Sequence, residues 1–296
     1  MEQMTKSEFN ARHNMKVAAD IVLFTVRDES INNPRKTPEL KLQVLLIKRK
    51  SSAEKGKWAL PGGVVANNED VHAAAYRELK EETNIDNVYI EQLYTWGKQD
   101  RDPRAREDPQ NRAISVSYMA LVNSEKLNIQ AGDDAEDAQW FTIEAQLISK
   151  TEKPQANGFA MEYLYELHLA NTAQAFTSQV IVTRMIDGPL VQTELAFKES
   201  PLAFDHAQIL YYALERLRNK TEYTNIAFNL MPELFTLGEI QKAYEVILGK
   251  KLNDSNFRTR TIKNMVIETN QKRKEGQYRH GKLYRYNPAW SRDNIW

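Results

Sequence analysis

Apolar and polar positions divide the first two hundred residues into strands around one helix. Short runs rich in Val, Ile, Leu and aromatic residues, bounded by Asn, Pro, Gly and Ser, are typical of strands. The segment Glu69–Thr83 instead has small or apolar residues at helical spacing, among strong helix formers. The pattern predicts an α/β fold with strands at Val17–Val26, Leu42–Ile47, Val88–Trp96, Ile114–Val122, Gln139–Thr142, Met161–Leu169, Gln179–Met185 and Leu190–Phe197.

A long amphipathic helix is predicted after these strands, from Ala203 to Lys220. It lies where a connecting or dimer-packing helix would lie. We therefore predict three segments: a first domain over residues 1–200, a linker helix over 201–222 and a second domain over 223–296.

The last segment has the pattern of a helix-turn-helix with a wing. Thr236 and Glu239 form a capping box that starts a helix, and Gly249 is placed to end it. A second helix is predicted from a cap at Asn253 or Asp254 to about Asn264. The predicted wing is a basic hairpin between two short strands, Val266–Thr269 and Leu283–Tyr286.

Charge is unevenly distributed, although 40 basic and 40 acidic residues give a net charge of zero. Residues 220–296 hold 14 Lys and Arg against 8 Asp and Glu, a net charge of +6, which leaves −6 for residues 1–219. Residues 250–285 alone carry +8. This density favours a polyanionic partner for the second domain. The alternative is a solvated basic face.

Composition excludes several classes of protein. Apolar residues make up 42% and charged residues 27% of the chain, which are ordinary globular values. No apolar run could span a bilayer, and Met1–His13 is too polar for a signal peptide, so we expect a cytoplasmic protein. The absence of cysteine excludes disulfides, thiolate metal sites and a cysteine nucleophile. The histidines lack ligand spacing, and His72 and His206 are interpreted as surface or packing residues.

Three carboxylates converge on the predicted helix behind a glycine loop. Glu81 and Glu82 lie three and four residues after Glu78, so the three side chains crowd one helix face. A hard cation such as Mg²⁺ or Mn²⁺ would offset their repulsion and could bridge to a substrate's phosphates. The alternative is an ordinary solvated face rich in glutamate.

The whole string from Gly63 to Ile85 resembles the Nudix box, which it matches at every fixed position except Asn84. Asn is the next choice after Gly for a left-handed residue at a helix end, so the helix is still expected to terminate there. The resemblance implies that Glu78, Glu81 and Glu82 bind a catalytic divalent metal beside Gly63. It also implies that Arg77 and Glu69 are structural partners, and that the ligand is a nucleoside diphosphate linked to another group.

The second predicted helix and the wing carry the candidate DNA-binding residues. Polar and basic side chains of this kind read base edges and phosphates, and Phe257, Ile262 and Met265 could anchor the helix to the core. A small basic domain that binds protein or RNA is the alternative. The candidates are Ser255, Asn256, Arg258, Thr259, Arg260 and Lys263 in the helix, and Lys272, Arg273, Lys274, Arg279 and Lys282 in the wing.

A Nudix-like domain joined to a C-terminal winged helix-turn-helix resembles the NrtR family of Nudix-related transcriptional regulators of NAD metabolism. The supporting stretches are Arg101–Arg104, Ile114–Tyr118, Gly132–Ala135, Trp140–Phe141, Leu202–His206 and Phe235–Lys250. The resemblance implies a homodimer on a palindromic operator, released or repositioned when ADP-ribose or a related nucleotide binds. Two alternatives stay open: a metal-dependent ADP-ribose pyrophosphatase, and an RNA-directed Nudix protein such as a decapping enzyme.

Arg101 and Arg104 are candidates for the ligand's phosphates, because guanidinium forks match phosphate oxygens. Surface ion pairs with Asp100, Asp102 or Glu107 are the alternative. Trp58 and Trp96 could stack on adenine or belong to the core, and the core is favoured for Trp96. The expected ligand set is Trp58, Gly63, Arg77, Arg101 and Arg104.

Overall fold

The computed structural model describes residues 15–28, 39–50, 54–83, 88–99, 101–102, 112–126, 135–155, 158–198, 200–275 and 279–293. The chain divides into two compact units. The first comprises residues 1–23, 44–120 and 128–213, and the second comprises residues 24–43, 121–127 and 214–296. No helix among the described residues has the length and hydropathy that a membrane crossing requires.

Among the described residues, ten strands form one large sheet. Eight of them follow the order β10-β9-β8-β7-β2-β1-β6-β5, with β3 paired to β2 and β4 paired to β1. The strands are Lys16–Asp28 (β1), Leu40–Arg49 (β2), Trp58–Ala59 (β3), Gly62–Val64 (β4), Tyr89–Trp96 (β5), Ala113–Leu121 (β6), Ala135–Gln155 (β7), Gly158–Ala170 (β8), Ala175–Asp187 (β9) and Leu190–Phe197 (β10).

The centre of this sheet is buried because β1, β2 and β6 carry nearly continuous apolar runs. Helix α1 spans Val71–Thr83, two residues shorter at its start than predicted. Asp70 explains the later start, because its Oδ1 accepts the Ala73 amide at 2.7 Å and caps the first turn. Ala74, Ala75 and Leu79 form the buried face of the helix.

Strand β7 is the largest departure from the sequence prediction. The prediction covered Gln139–Thr142, whereas the strand runs for 21 residues and pairs with β8 from Thr142 to Gln155. Its second half is mostly exposed, so no alternation of buried and exposed positions marks it. Antiparallel backbone pairing extends the strand there, with a register shift between Leu147 and Ser149.

Helix α2 spans His206–Tyr223 and also begins later than predicted. The residues before it form an irregular segment in which Phe204 has a positive φ of +51°. Leu202 pairs with Trp58 of β3, which draws this segment onto the sheet before the helix starts.

The second unit contains the predicted caps. Helix α3 spans Leu237–Leu248, with both hydrogen bonds of the capping box present between Thr236 and Glu239. Gly249 ends the helix in the left-handed conformation, at φ +65°. The core of the unit is aromatic, and its rings belong to Phe228, Phe235, Tyr244, Phe257 and Tyr286.

The second helix of the predicted helix-turn-helix is shorter and wider than expected. Helix α4 is α-helical over Asp254–Asn256 and continues as a π-helical turn over Phe257–Thr261, so it ends before Asn264. Phe257 and Ile262 are both buried, although residues five apart lie about 140° apart on an α-helix. The hydrogen bond from the Ile262 amide to the Phe257 carbonyl widens the turn and brings both side chains to the core.

The wing strands are longer than predicted. Strand β11 spans Val266–Glu275 and β12 spans Arg279–Tyr286, so the basic residues lie within the strands. Phe235 pairs with Tyr284 of β12 through two backbone hydrogen bonds. A short helix α5, Pro288–Asp293, follows.

Candidate functional site

Gly63 lies directly beneath the carboxylate of Glu78. Strand β4 pairs with β1, and this places Gly63 opposite Ala19. A Cβ atom at Gly63 would lie 2.1 Å from Glu78 Oε1, far inside van der Waals contact. The neighbouring Gly62 is equally constrained, because a Cβ there would lie 2.2 Å from the Ala19 carbonyl oxygen. The two glycines therefore let the helix carboxylate approach the loop backbone.

Arg77 joins the acidic residues of the loop and helix. Its Nε and Nη2 donate to the two carboxylate oxygens of Glu69, at 3.1 and 2.7 Å. Its Nη1 donates to Glu78 at 2.7 Å and to Glu81 at 3.1 Å. Glu69 in turn accepts the Ala66 amide at 2.8 Å, which fixes the loop before α1. The sequence-predicted partnership of Arg77 with Glu69 is present as a bidentate ion pair.

The pKa values of Glu69 and Glu78 shift in opposite directions. The hydrogen bonds from Arg77 and from the Ala66 amide lower the pKa of Glu69 to about 2. Burial raises the pKa of Glu78, and Arg77 opposes that rise. Glu78 is thus a buried acid, held beside the backbone of the glycine loop.

The donor set partly fits the predicted divalent metal. Glu78 and Glu81 both approach Arg77 Nη1, so two of the three box carboxylates are already close together, and carboxylate oxygens suit Mg²⁺. The side chain of Glu82 lies outside the described residues. No group of three potential ligands is formed by the side chains that the structure describes. A bound cation would compete with Arg77 for Glu78 and Glu81.

Arg101 is buried, with its guanidinium engaged by a distant acid. It donates to both carboxylate oxygens of Asp205, at 2.9 and 2.7 Å, and its side chain is 8% exposed. The guanidinium is thus paired with a buried acid, and its contact with the ligand's phosphates stays a prediction. Arg104, Asp100 and Glu107 lie outside the described residues.

Sequence reasoning missed a buried polar cluster around Arg101. Asp20, Asp205 and His206 are each less than 9% exposed, and Ser115 donates to Asp20. Burial lowers the pKa of His206, which keeps the imidazole neutral at pH 7. The sequence signal was Asp205-His206 at the start of the linker helix, and His206 was interpreted only as a packing or surface residue.

Both candidate tryptophans are buried. Trp96 donates its indole N–H to Ser117 Oγ at 2.9 Å, as expected of a core residue. Trp58 donates to Gln174 at 3.3 Å and packs edge-on against Phe141. At 8% exposure, Trp58 presents little surface for stacking on a base.

The turn of α4 presents a continuous polar and basic surface. Thr259 Oγ1 donates to the Ser255 carbonyl at 2.7 Å, which braces the turn. Six side chains predicted to contact DNA are exposed there: Ser255, Asn256, Arg258, Thr259, Arg260 and Lys263.

The wing residues divide into two groups. Lys272 is exposed, whereas Arg273 donates to Glu239 at 2.8 Å and to the Leu234 carbonyl at 2.9 Å. Lys282 pairs with Glu268 at 2.7 Å. Arg273 and Lys282 therefore brace the wing in this conformation. The side chains of Lys274 and Arg279 lie outside the described residues.

Two family models match the chain in the order that the fold suggests. The NUDIX domain model matches residues 17–161, and the NrtR DNA-binding winged helix domain model matches residues 227–286. The ADPR responsive transcriptional repressor NtrR of Acinetobacter baylyi is 33% identical over 247 residues, 83% of this chain and 76% of the relative. The chain belongs to the NrtR family. The predicted fold class, a Nudix fold followed by a winged helix-turn-helix domain, is confirmed.

Two further matches bear on this NrtR-family protein. The crystal structure of Shewanella oneidensis NrtR complexed with a 27mer DNA is 27% identical, with a TM-score of 0.60, and the match covers 92% of this chain and 94% of that one. The ADP-ribose pyrophosphatase of Methanocaldococcus jannaschii is 40% identical over 101 residues, 34% of this chain and 55% of that enzyme.

Proposed function

We propose that this NrtR-family protein is a transcriptional repressor of NAD-metabolism genes whose DNA binding responds to ADP-ribose or a related NAD-derived nucleotide. One observation carries the proposal: an intact Nudix loop and helix is joined, in a single chain, to a winged domain with an exposed basic recognition turn. The relative from A. baylyi, named as ADPR responsive, aligns with most of the chain and supports this assignment.

The DNA-binding surface is assigned to α4 and the wing. The exposed Arg258, Arg260 and Lys263 supply charge for phosphates, and Ser255 and Asn256 supply hydrogen-bonding groups for base edges. A homodimer on a palindromic operator completes the proposal, because two-fold protein symmetry matches a palindrome. Regulation of this kind takes place in the cytoplasm.

The nucleotide site is assigned to the glycine loop and α1. The Glu78 carboxylate lies against the backbone of Gly63, and Arg77 holds Glu78 and Glu81 close together. When present, Mg²⁺ would be held by Glu78, Glu81 and Glu82 and would neutralise the diphosphate of the ligand.

A fluorescence-anisotropy titration tests the proposal. A duplex selected from a random library by the full chain is titrated at fixed salt, with and without ADP-ribose. We expect sequence-preferring binding that ADP-ribose weakens, and at least a tenfold loss of affinity in the Arg258→Ala/Lys263→Ala double variant. The Lys153→Ala/Lys198→Ala variant removes two exposed charges from the other unit and is the matched control. Equal affinity of both variants for the duplex would refute the assignment of α4.

A second candidate function is Mg²⁺-dependent hydrolysis of ADP-ribose. It is favoured by the convergence of Glu78 and Glu81 and by the match to the M. jannaschii pyrophosphatase. Release of AMP and ribose 5-phosphate at ordinary enzyme rates, lost in Glu81→Gln, would support it. Turnover by the wild type without a duplex preference would place hydrolysis ahead of regulation. Preferential binding of single-stranded RNA would instead favour an RNA-directed Nudix protein.

A further inference from the structure

The segment that leads into α2 lies along the loop that leads into the Nudix box. Leu202 pairs with Trp58, and the Ala203 amide donates to the Trp58 carbonyl at 2.8 Å. Two residues after Trp58, the Leu60 amide donates at 2.9 Å to Nδ1 of His206, which lies three residues after Ala203. Leu60 and His206 are 2% and 3% exposed, so this bond is shielded from water.

The bond fixes the tautomer of His206. Because Nδ1 accepts from Leu60, the ring proton of the neutral imidazole lies on Nε2. Nε2 lies 3.8 Å from Asp20 Oδ1, and Asp20 pairs with Gly62 in the β1–β4 ladder. Both ring nitrogens therefore face groups that define the loop from Leu60 to Gly63.

The start of α2 is held from the other side by Arg101. Its bidentate pair with Asp205 is buried and spans 104 positions of sequence. Between Ala203 and Asp205, Phe204 adopts φ +51°, a strained conformation for a residue with a side chain. Such a conformation persists only where its neighbours are fixed, and here both neighbours of Phe204 are hydrogen-bonded.

We propose that His206 is the positioning residue that couples the nucleotide site to helix α2, through its hydrogen bond with the Leu60 amide. This inference rests on the proposed function and states how nucleotide binding at that site would be transmitted to α2. Gly63, three residues after Leu60, lies against Glu78, so a nucleotide or cation that moves this carboxylate changes the space available to the loop. The loop transmits the change to the first residue of α2. A nucleotide shifts this equilibrium only by binding the two arrangements with different affinity.

Two substitutions separate the functions of the two ring nitrogens. His206→Asn retains an acceptor close to the position of Nδ1, whereas His206→Gln retains only a donor close to the position of Nε2. The readout is the ratio of duplex affinities of the full chain without and with saturating ADP-ribose, where couplings of roughly 5- to 150-fold are typical. His168→Gln, the same change at a side chain 40% exposed on β8, is the control.

We expect His206→Gln to bring the ratio to within twofold of 1, while His206→Asn and His168→Gln stay within threefold of the wild-type ratio. A wild-type ratio of 1 would refute the proposed function itself. A wild-type response that His206→Gln retains in full would refute only the role of His206.

Hydrogen exchange on the wild-type chain tests the inference without a substitution, and decides it if His206→Gln fails to fold or to bind ADP-ribose. We expect ADP-ribose to change exchange in residues 58–64 and in residues 202–210 together. A change confined to residues 58–64 would overturn the inference, because the start of α2 would then be indifferent to the nucleotide.

Discussion

Single residues of the Nudix loop are constrained by contacts that the motif alone does not explain. The box pattern indicates a glycine at Gly63, but the physical reason is the Glu78 carboxylate lying over its backbone. Arg77 similarly acts as a shared donor, holding Glu69 on the loop to Glu78 and Glu81 on the helix. The loop is therefore shaped by side chains of the helix that follows it.

Gly63→Ala should destabilise the protein and weaken ADP-ribose binding. The added methyl group would displace the buried Glu78 carboxylate, and overpacking of this kind costs about 1–3 kcal/mol. Urea denaturation and calorimetric titration with ADP-ribose measure both effects. Gly97→Ala is the control, because its Cβ would lie 3.9 Å from Ile114. Equal unfolding midpoints for the two variants would contradict the predicted clash between a Cβ at position 63 and the Glu78 carboxylate.

Glu69 should give the protein an acid-sensitive contribution to stability. Its pKa is about 2 in the folded chain, below its ordinary value of 4.5, so the unfolded chain binds the proton more tightly. The contribution is complete above pH 4.5 and is lost as the pH falls towards 2. Melting temperatures of the wild type and Glu69→Gln should therefore converge over this interval. The exposed variant Glu194→Gln should show no such convergence.

Sequence reasoning identified the local partners of the box but not the distant ones. Arg77 and Glu69 are eight residues apart within one motif, so their pairing follows from the motif. Arg101 was assigned to phosphates or to neighbouring acids, whereas its partner Asp205 lies 104 positions away. No spacing rule reports such a pair, because it is made by the packing of α2 against the sheet.

At the scale of elements, the ends of α3 were predicted, whereas the lengths of α4 and β7 were not. The boundaries of α3 were predicted because a capping box and a left-handed glycine act within four residues. The wide turn of α4 was not predicted, because it depends on the burial of Phe257 and Ile262 in one core. The length of β7 was missed because backbone pairing, which has no side-chain signature, extends it.

Two glycines at either end of α3 should respond oppositely to alanine. Gly249→Ala should destabilise the winged domain by roughly 1 kcal/mol, because φ +65° strains a residue with a Cβ. Gly238→Ala should stabilise it by up to about 1 kcal/mol, because the helical backbone suits alanine and the new Cβ would lie 3.8 Å from Thr236 Oγ1. Urea unfolding of the full chain, monitored through the hydrogen exchange of the α3 amides, measures both changes in stability. A shift of the same sign in both variants would contradict this reading of the helix ends.

Over the whole chain, the two parts of the sequence carry opposite net charge, −6 over residues 1–219 and +6 over residues 220–296. This asymmetry was visible in the sequence and agrees with the winged domain match over residues 227–286. The charge is concentrated on the exposed turn of α4 and along the wing strands. Duplex binding should therefore depend steeply on salt.

The salt dependence of duplex binding should report individual phosphate contacts. Lys272→Ala should lower affinity for all duplexes alike and reduce the slope of log affinity against log salt by about 1, because one fewer counterion is released. Asn256→Ala should leave the slope unchanged and relax sequence preference. Anisotropy titrations at four salt concentrations measure both slopes. Equal slopes for Lys272→Ala and the wild type would remove that lysine from the phosphate contacts.

Strand β10 has a consequence for the handling of the protein. It ends the large sheet and pairs with β9 on one side only among the described strands, and Leu190 and Val191 are more than half exposed. An apolar strand with an open hydrogen-bonding edge is a template for aggregation of partly unfolded chains. Loss of protein during concentration or heating is thus expected to begin at this edge.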